Sequence, residues 1–375
     1  MAAGNTGRNQ GNIRYRAVDV ISLKTCGKAA FRERYLQPGI PCVIEDLITE
    51  WPAFHKCDKD YLKQACGETR VFFHHETEGR TDFARPATQT TLSDFMVRIE
   101  NGEPIRFFSP AHPVYDFVAD NPLFTDDVRL RTFDRLLPDS GFLGLDRLDS
   151  RFWPWLPPFP PQLYVANAGS VSPGHYDQDL SHTFHCCFWG NKSVKLFAAD
   201  PRSKNAMRYL RDIDLSRPLD PIHLKRLPEL AALDGWSASL GPGQVPFIPS
   251  RMWHWFKYET LSLAYVVRAR SFDSWRAYSE FARGPQGPPN TFPTHAALWC
   301  RVSRRERGLW GNLLVAFERP IILGTWVVMK ALYLYFLESG RLRRVASWLA
   351  ERRGPSISIG RIPRRFRREK RLPSD

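Results

Sequence analysis

Short hydrophobic segments separated by turn residues fill the chain from Gln162 to about Ser271. Each is rich in β-branched and aromatic residues and is bounded by Gly, Pro, Asp or Asn: QLYVANA, HTFHCCFW, SVKLFAA, QVPFIPS and SLAYVVRA. This length and composition are typical of β-strands. Many short strands in succession predict a barrel or sandwich, with the stretch from about Pro201 to Leu233 as a helical or irregular insertion.

The region before these strands mixes helix and strand signals. AAFRERYLQPG predicts a helix that ends at Pro38 and Gly39, and the following PCVIEDL predicts a strand. The run RFWPWLPPFPP, residues 151–161, holds too much proline for a helix or a central strand and predicts a connecting loop. The expected fold class is mainly β with helices (α+β), with an α+β lead-in over residues 18–150 and a β-rich core over residues 151–290.

Helical periodicity dominates residues 291–353. The longest apolar run, residues 321–337, has only 17 residues with Lys330 near its centre, which is short for a membrane span. A helix packed against the barrel or in a dimer interface is therefore expected. Residues 354–375 are predicted to form a solvated basic tail, and residues 1–17 a disordered N-terminus.

The distribution of charge and the cysteine content bear on the partners and the cellular location of the protein. The net charge is +14, but from Arg301 onward there are 18 Lys and Arg against 6 Asp and Glu, so the basicity belongs to the tail. Such a tail is compatible with contact to nucleic acid or anionic membrane, although a solvated tail is commoner. The seven scattered cysteines and the lack of an apolar signal core near the N-terminus favour a cytoplasmic protein, or alternatively a nuclear one, over a secreted protein.

A histidine and an aspartate two residues apart carry the main chemical signal. GSVSPGHYDQD contains His175 and Asp177, and side chains two apart in a strand share one face. A second histidine, His254, lies 79 residues downstream in the strand-like GQVPFIPSRMWHWF. Two histidines and one carboxylate on one side of a metal leave coordination positions open, as in non-haem iron(II) oxygenases. We therefore predict that these three residues are metal ligands and catalytic residues, although an H-x-D pair alone also occurs by chance.

Three segments together resemble the signature strands of the JmjC/cupin-like hydroxylases. They are GSVSPGHYDQD, GNKSVKLFAADP and GQVPFIPSRMWH, in the order and rough spacing of that family. FRERYLQPGIPCVIEDLITEWPAF and DYLKQACGETRVFF look like the family's lead-in, so the resemblance covers residues 18–271. It implies a double-stranded β-helix, the jelly roll of cupin and JmjC proteins. It also implies that the H-x-D pair and the distal histidine bind Fe(II), and that 2-oxoglutarate is the cosubstrate.

The resemblance further implies how the cosubstrate is held. In the family a lysine in a G-x-K turn pairs with the far carboxylate of 2-oxoglutarate, and Lys192 in GNK matches it; a buried dicarboxylate requires such a cation. Ser172, three positions before the first ligand, matches a family hydroxyl that bonds the same carboxylate. Tyr164 and Tyr265 are further candidates, because phenols on pocket-lining strands commonly complete a carboxylate's hydrogen bonds. Lys195 is the alternative cation, on the opposite strand face from Lys192.

Several neighbouring residues have simpler interpretations. His182 and His185 are interpreted as ordinary strand histidines, with a role near metal or substrate as the alternative. Cys186 and Cys187 are expected in the core. Many family members carry an asparagine or glutamine shortly after H-x-D, where SHTFHCCFW has none, so the orientation of the substrate stays open.

By resemblance, the expected function is an Fe(II)- and 2-oxoglutarate-dependent dioxygenase that hydroxylates a protein side chain, with N-demethylation the less common outcome. Its expected partners are 2-oxoglutarate, O2, a protein substrate and a second copy bound through the C-terminal helices. One alternative is a non-catalytic cupin-fold binding protein that uses its basic tail for nucleic acid or membrane contact. Another is a metal cupin with different chemistry, such as a zinc-dependent enzyme or an isomerase.

Overall fold

The computed structural model describes most of the chain between residues 13 and 269. The described ranges are 13–109, 161–177, 180–198, 204–210, 213–217 and 219–269, with short stretches between 117 and 137. The predicted C-terminal helices, the basic tail and the predicted dimer contact lie outside these residues. Within them, no helix is long and apolar enough to cross a membrane.

The N-terminal lead-in alternates strands and helices, as predicted. Its strands are β1 (Arg14–Ala17), β2 (Asp19–Ile21), β3 (Cys42–Ile44), β4 (Arg70–Thr77), β5 (Arg80–Thr81), β6 (Thr88–Thr91) and β7 (Ile105–Ser109). Its helices are α1 (Leu23–Phe31), continued by a π-helical turn (Arg32–Leu36), α2 (Pro52–Lys56), α3 (Lys59–Cys66), α4 (Leu92–Glu100) and α5 (Pro122–Thr125). The predicted helix before Pro38 is present, and PCVIEDL supplies β3.

Eight further strands form the core. They are β8 (Gln162–Ala166), β9 (Val171–His175), β10 (His182–Trp189), β11 (Lys192–Phe197), β12 (Asp234–Leu240), β13 (Val245–Ile248), β14 (Trp253–Tyr258) and β15 (Ser262–Ala269). The insertion between β11 and β12 contains α6 (Lys204–Leu210), α7 (Pro221–Arg226) and a 3₁₀ turn (Pro228–Ala232).

The core strands divide into two sheets in the order of a double-stranded β-helix. One sheet contains β13-β10-β15-β8 and the other contains β12-β11-β14-β9, so consecutive strands alternate between the sheets except for β11 and β12, which pair within one sheet. The lead-in extends the first sheet at both ends, with β7, β4 and β5 beyond β8 and with β3 and β2 beyond β13. The predicted fold class, a jelly roll with an α+β lead-in, is confirmed.

Side chains that alternate along the strands point either into the barrel or outward. The outward side chains pack in one core with the insertion between β11 and β12 and in another with the lead-in. On β11, Val194 and Leu196 pack between the sheets, whereas Phe197 faces the insertion helices. On β14, Phe256 points inward and Trp255 outward into the same outer core. Because the period of a strand is two, Lys192 on β11 and His254 on β14 must point inward as well.

The predicted disorder of residues 1–17 is corrected at its C-terminal end. Arg14–Ala17 forms β1, which pairs in parallel with Asp234–Ser237 of β12. Ile13 is buried in the core beneath the insertion. The segment is ordered because it gains ladder hydrogen bonds and buries an apolar side chain at the sheet edge.

Candidate metal centre

The structure brings His175, Asp177 and His254 together at one end of the barrel. His175 ends β9, Asp177 follows two residues later, and His254 on β14 lies directly opposite His175 in the strand register. One donor atom from each residue lies within 4.8 Å of the others, and the two imidazole centroids are 4.2 Å apart. His175 is exposed to solvent and His254 is buried, so the cluster lies where the interior opens to solvent.

An irregularity in β9 sets the spacing of its inward-facing residues. His175 pairs with His254 and Ser172 pairs with Phe256, so three steps on β9 match two steps on β14. A bulge of this kind inserts one residue and restores the facing of the side chains beyond it. Ser172 and His175 therefore both point into the barrel although they are three residues apart.

Both imidazoles are oriented so that Nε2 is left for a metal. His175 Nδ1 donates to the carbonyl oxygen of Pro173 at 2.7 Å, and His254 Nδ1 donates to that of Met252 at 3.2 Å. A carbonyl only accepts, so Nδ1 carries the hydrogen and Nε2 carries the lone pair. Desolvation of the imidazole within the site, together with the neighbouring imidazole, lowers the pKa of His175 to about 4 although the residue as a whole is exposed, and burial lowers the pKa of His254. The neutral ligand form is thus the stable one.

The carboxylate of Asp177 is held by two side chains on the sheet opposite. Arg268 Nη2 donates to Oδ1 at 2.9 Å, and Thr183 Oγ1 donates to Oδ2 at 2.7 Å. Arg268 and Thr183 are themselves register partners on β15 and β10. Burial acts to raise the pKa of Asp177, but Arg268 and the two imidazoles outweigh it and hold the pKa below its usual range. Asp177 is therefore ionised and available to bind a metal.

Lys192 is a fully buried cation inside the barrel. Its side chain is 1% exposed, and Nζ has no hydrogen-bond partner among the described residues. Nζ lies 4.4 Å from the ring centroid of Tyr258, and burial lowers the pKa of Lys192 to about 8. Lys195 has the opposite orientation, as parity predicted, and its Nζ lies 4.3 Å from the ring of Tyr15 on the outer face. The geometry favours Lys192 over Lys195 as an anion-binding residue.

Two residues beside Lys192 were missed from the sequence. Arg106 on β7 donates through Nη2 to Ser172 Oγ at 2.6 Å and to the Tyr258 hydroxyl at 3.2 Å. Tyr258 could have been found by strand parity, because it shares a face with His254 two pairs away. Arg106 carries no comparable signal, since it lies in the lead-in and outside any motif.

The two tyrosine candidates have different outcomes. The ring of Tyr164 lies 5.7 Å from Cζ of Arg106, and its hydroxyl donates to Gln162 Oε1 at 2.9 Å, so its place beside the cosubstrate stays a prediction. Tyr265 is a correction: it is fully buried in the core that the barrel forms with the lead-in, where its hydroxyl donates to the carbonyl of Phe124 at 3.1 Å. It pairs with Cys186 and shares that residue's outward face.

The two histidines after H-x-D lie on opposite faces of β10, with His185 on the interior face and His182 on the face of Phe184 and Cys186. His185 stacks on Phe256 with centroids 4.6 Å apart, and its Nδ1 has no hydrogen-bond partner among the described residues. His182 Nδ1 accepts the backbone N–H of Ser250 at 3.0 Å, which fits an ordinary structural histidine. Cys186 and Cys187 are completely buried, on opposite faces of β10, as expected for core residues.

The donor set fits iron(II). Two neutral imidazoles and one ionised carboxylate are the donor set that non-haem iron(II) sites use, and a metal held by these three would keep positions for other molecules. The buried, unpartnered Nζ of Lys192 lies in the same interior and fits the distal charge of a dicarboxylate. These observations fit a metal with an anionic cosubstrate.

Comparison with known proteins gives one family match and several relatives. The cupin-like domain family model matches residues 28–265, which is well over half of the chain. The chain is 28% identical over 243 residues to the lysine-specific demethylase JMJ30 of Arabidopsis thaliana, covering 62% of the chain and 51% of that protein. It is 26% identical over 257 residues to the Jumonji C domain-containing protein 5 of Drosophila melanogaster, covering 66% and 58%. It is 27% identical over 248 residues to the lysine-specific demethylase 8 of Danio rerio, covering 63% and 54%. The chain spans about half the length of these relatives.

Proposed function

The chain belongs to the cupin-like domain family, and we propose that it is an oxygenase that uses iron(II), 2-oxoglutarate and O2 to oxidise a C–H bond of a protein side chain. The observation that carries the proposal is the convergence of His175, Asp177 and His254, whose donor atoms lie within 4.8 Å of one another. When bound, iron(II) and the cosubstrate would supply the oxidising chemistry, in which O2 converts 2-oxoglutarate to succinate and CO2.

The chain's own residues would hold and orient these groups. His175 and His254 would bind the metal through Nε2, and Asp177 through its carboxylate. Lys192 would pair with the distal carboxylate of 2-oxoglutarate, and Ser172 would add a hydrogen bond to it. Burying that carboxylate is favourable only next to a cation, and Nζ of Lys192 is buried and has no hydrogen-bond partner among the described residues.

The substrate class follows from chemistry and from the relatives' names. Two of the relatives are named lysine-specific demethylases, which supports a protein side chain as the substrate of this chain. Hydroxylation and N-demethylation begin with oxidation of the same kind of C–H bond. When the oxidised carbon is an N-methyl group, the product releases formaldehyde, and otherwise the hydroxyl is retained. The relatives' names favour N-demethylation over the retained hydroxylation that the resemblance predicted, and the residues that hold the metal and the cosubstrate would have the same roles in either case.

An intracellular location fits this proposal, in the cytoplasm or the nucleus. The described cysteines are free, and most are buried. Burial raises the pKa of Cys42, Cys57 and Cys186, which keeps these thiols protonated and unreactive. A cytosolic protein retains such thiols without disulfide formation.

Anaerobic titration with iron(II) and then 2-oxoglutarate tests the proposal. The keto acid should produce a weak visible charge-transfer band, and addition of O2 should release succinate. His175→Ala and Asp177→Ala should abolish both signals, whereas His55→Ala, an exposed histidine on α2, should leave both unchanged.

Two outcomes would favour the alternatives. A folded wild-type chain with neither band nor succinate would favour a non-catalytic cupin-fold binding protein. Tight zinc binding without a requirement for 2-oxoglutarate would favour different metal chemistry. Assay of oxidised peptides for retained oxygen or released formaldehyde would then separate hydroxylation from N-demethylation.

A further inference from the structure

Arg106 places a second buried cation inside the barrel. The residue is 5% exposed, and its guanidinium contacts only neutral acceptors: Ser172 Oγ at 2.6 Å, the Tyr258 hydroxyl at 3.2 Å and the Val171 carbonyl at 3.4 Å. No described carboxylate lies within ion-pair distance of it. Its Nε has no hydrogen-bond partner among the described residues. A buried guanidinium usually has a carboxylate or phosphate partner, which is missing here.

Arg106 and Lys192 share one neighbour. Cζ of Arg106 lies 5.1 Å and Nζ of Lys192 lies 4.4 Å from the ring centroid of Tyr258. Two buried like charges beside one ring repel each other, and the ring faces compensate only a small part of the cost. The buried carboxylate of Glu76 attracts Arg106 without forming an ion-pair contact, but it accepts from Ser170 and burial raises its pKa, so it compensates the two cations only weakly. An anion bound beside the pair would therefore relieve a repulsion that the described residues compensate only weakly.

We propose that Arg106 binds the distal carboxylate of 2-oxoglutarate together with Lys192, so that the cosubstrate is held by a two-cation clamp. This inference rests on the proposed function and deepens it, because no motif or resemblance assigns Arg106. Ser172 and Tyr258 hold the guanidinium in place. Ser172 Oγ accepts from Arg106 and keeps its own hydrogen for the same carboxylate, so its predicted contact is compatible with the clamp.

The clamp has a consequence for specificity. A planar guanidinium and an ammonium together hold a carboxylate with more donors than a lysine alone. Dicarboxylates without a keto group, such as glutarate and succinate, should therefore bind even without metal. A keto acid that lacks the distal carboxylate, such as 2-oxobutyrate, should gain nothing from Arg106.

Calorimetric binding of three probes tests this clamp. Glutarate is titrated into metal-free protein, and 2-oxoglutarate and 2-oxobutyrate are titrated anaerobically with Mn(II) present. Arg106→Gln should weaken glutarate and 2-oxoglutarate by about 10- to 100-fold, the loss expected for hydrogen bonds to a charged group. It should leave 2-oxobutyrate within about twofold of wild type, and Arg106→Lys should fall between the two.

A matched control separates binding from folding. Arg98 on α4 is hydrogen-bonded to Glu103 at 2.6 and 2.7 Å on the outside of the protein, so Arg98→Gln should change none of the three affinities. Wild-type affinity for glutarate in both Arg106 variants would overturn the clamp. So would an equal loss of 2-oxobutyrate and 2-oxoglutarate, which would show a structural role, or a wild-type chain that binds no dicarboxylate.

The same measurements test the two-cation clamp and the proposed oxygenase function separately. Metal-free glutarate binding that depends on Arg106, in a chain without succinate release, would sustain the clamp and remove the proposed function. Succinate release with Arg106-independent affinity for 2-oxoglutarate would do the reverse.

Discussion

Replacing Arg268 should destabilise the metal-free protein and strengthen its affinity for metal. Arg268 and Asp177 form an ion pair of 2.9 Å whose side chains are 15% and 9% exposed. Removal of one partner from a mostly buried pair costs about 3–5 kcal/mol, because the other charge stays buried. Because the site is open to solvent at His175, we expect Arg268→Leu to lie near the lower end of this range and to lose about 3 kcal/mol of unfolding free energy.

A divalent ion should restore part of that loss. In the wild type the guanidinium and the metal compete for the charge of Asp177, and in Arg268→Leu the metal has no competitor. By linkage, the metal then stabilises the variant more than the wild type. A coupling of about 1–3 kcal/mol, the usual range between two sites, corresponds to about 5- to 150-fold tighter metal binding.

Urea denaturation with and without Mn(II), combined with calorimetric Mn(II) titration, measures both effects. Arg268→Gln keeps a hydrogen-bond donor without the charge and should show the tighter binding with a smaller loss of stability. Equal or weaker Mn(II) affinity in Arg268→Leu would refute the reasoning. It would show that orientation of Asp177 by Arg268 matters more than competition between the two cations.

Three further predictions concern pH, a turn and the misassigned tyrosine. Burial lowers the pKa of Lys192 to about 8 from 10.5, so between these pH values only the unfolded state holds that proton. The unfolding free energy of the metal-free protein should therefore rise with pH over this range. Urea denaturation that shows the same rise in a Lys192→Met variant would contradict this. Gly190→Ala combines a φ of +80° with a Cβ 2.1 Å from Ser262 Oγ, so it should cost about 3 kcal/mol or more, and a wild-type melting temperature would disprove the strain. Tyr265→Phe removes the hydrogen bond to the Phe124 carbonyl and should lower the unfolding free energy by about 1 kcal/mol. A change in 2-oxoglutarate affinity in this variant would show that Tyr265 contacts the cosubstrate after all.

The sequence predicted those features that depend on strand periodicity and on a short motif. The period of two placed Lys192 and Lys195 on opposite faces, and the structure has them so. The same rule would have placed Tyr265 on the outer face, had the register of β15 against β10 been known. That register is a tertiary property, which no local pattern contains.

Arg106 shows why the rest of the site could not be predicted. It lies 66 residues from Ser172 along the chain, yet its guanidinium donates to that hydroxyl at 2.6 Å. The contact exists because β7 of the lead-in pairs with β8 and extends the barrel sheet. The sequence of β7 predicts a strand but not its neighbours. Which of its residues point into the barrel is therefore known only once the order of the strands in the sheet is known.

The metal side and the cosubstrate side of the site differ in how many of their charged and polar groups have partners within the described residues. On the metal side, both oxygens of Asp177 are hydrogen-bonded and both imidazoles are fixed by backbone carbonyls. On the other side, Lys192 and Arg106 form no ion pair with any described residue, and Glu76 compensates them only weakly. The electrostatic cost is therefore concentrated where the cosubstrate would bind, and a dicarboxylate relieves it. Saturating glutarate should thus raise the melting temperature of metal-free wild type and should raise that of Arg106→Gln less. Equal increases would mean that the repulsion between Lys192 and Arg106 is already relieved within the chain.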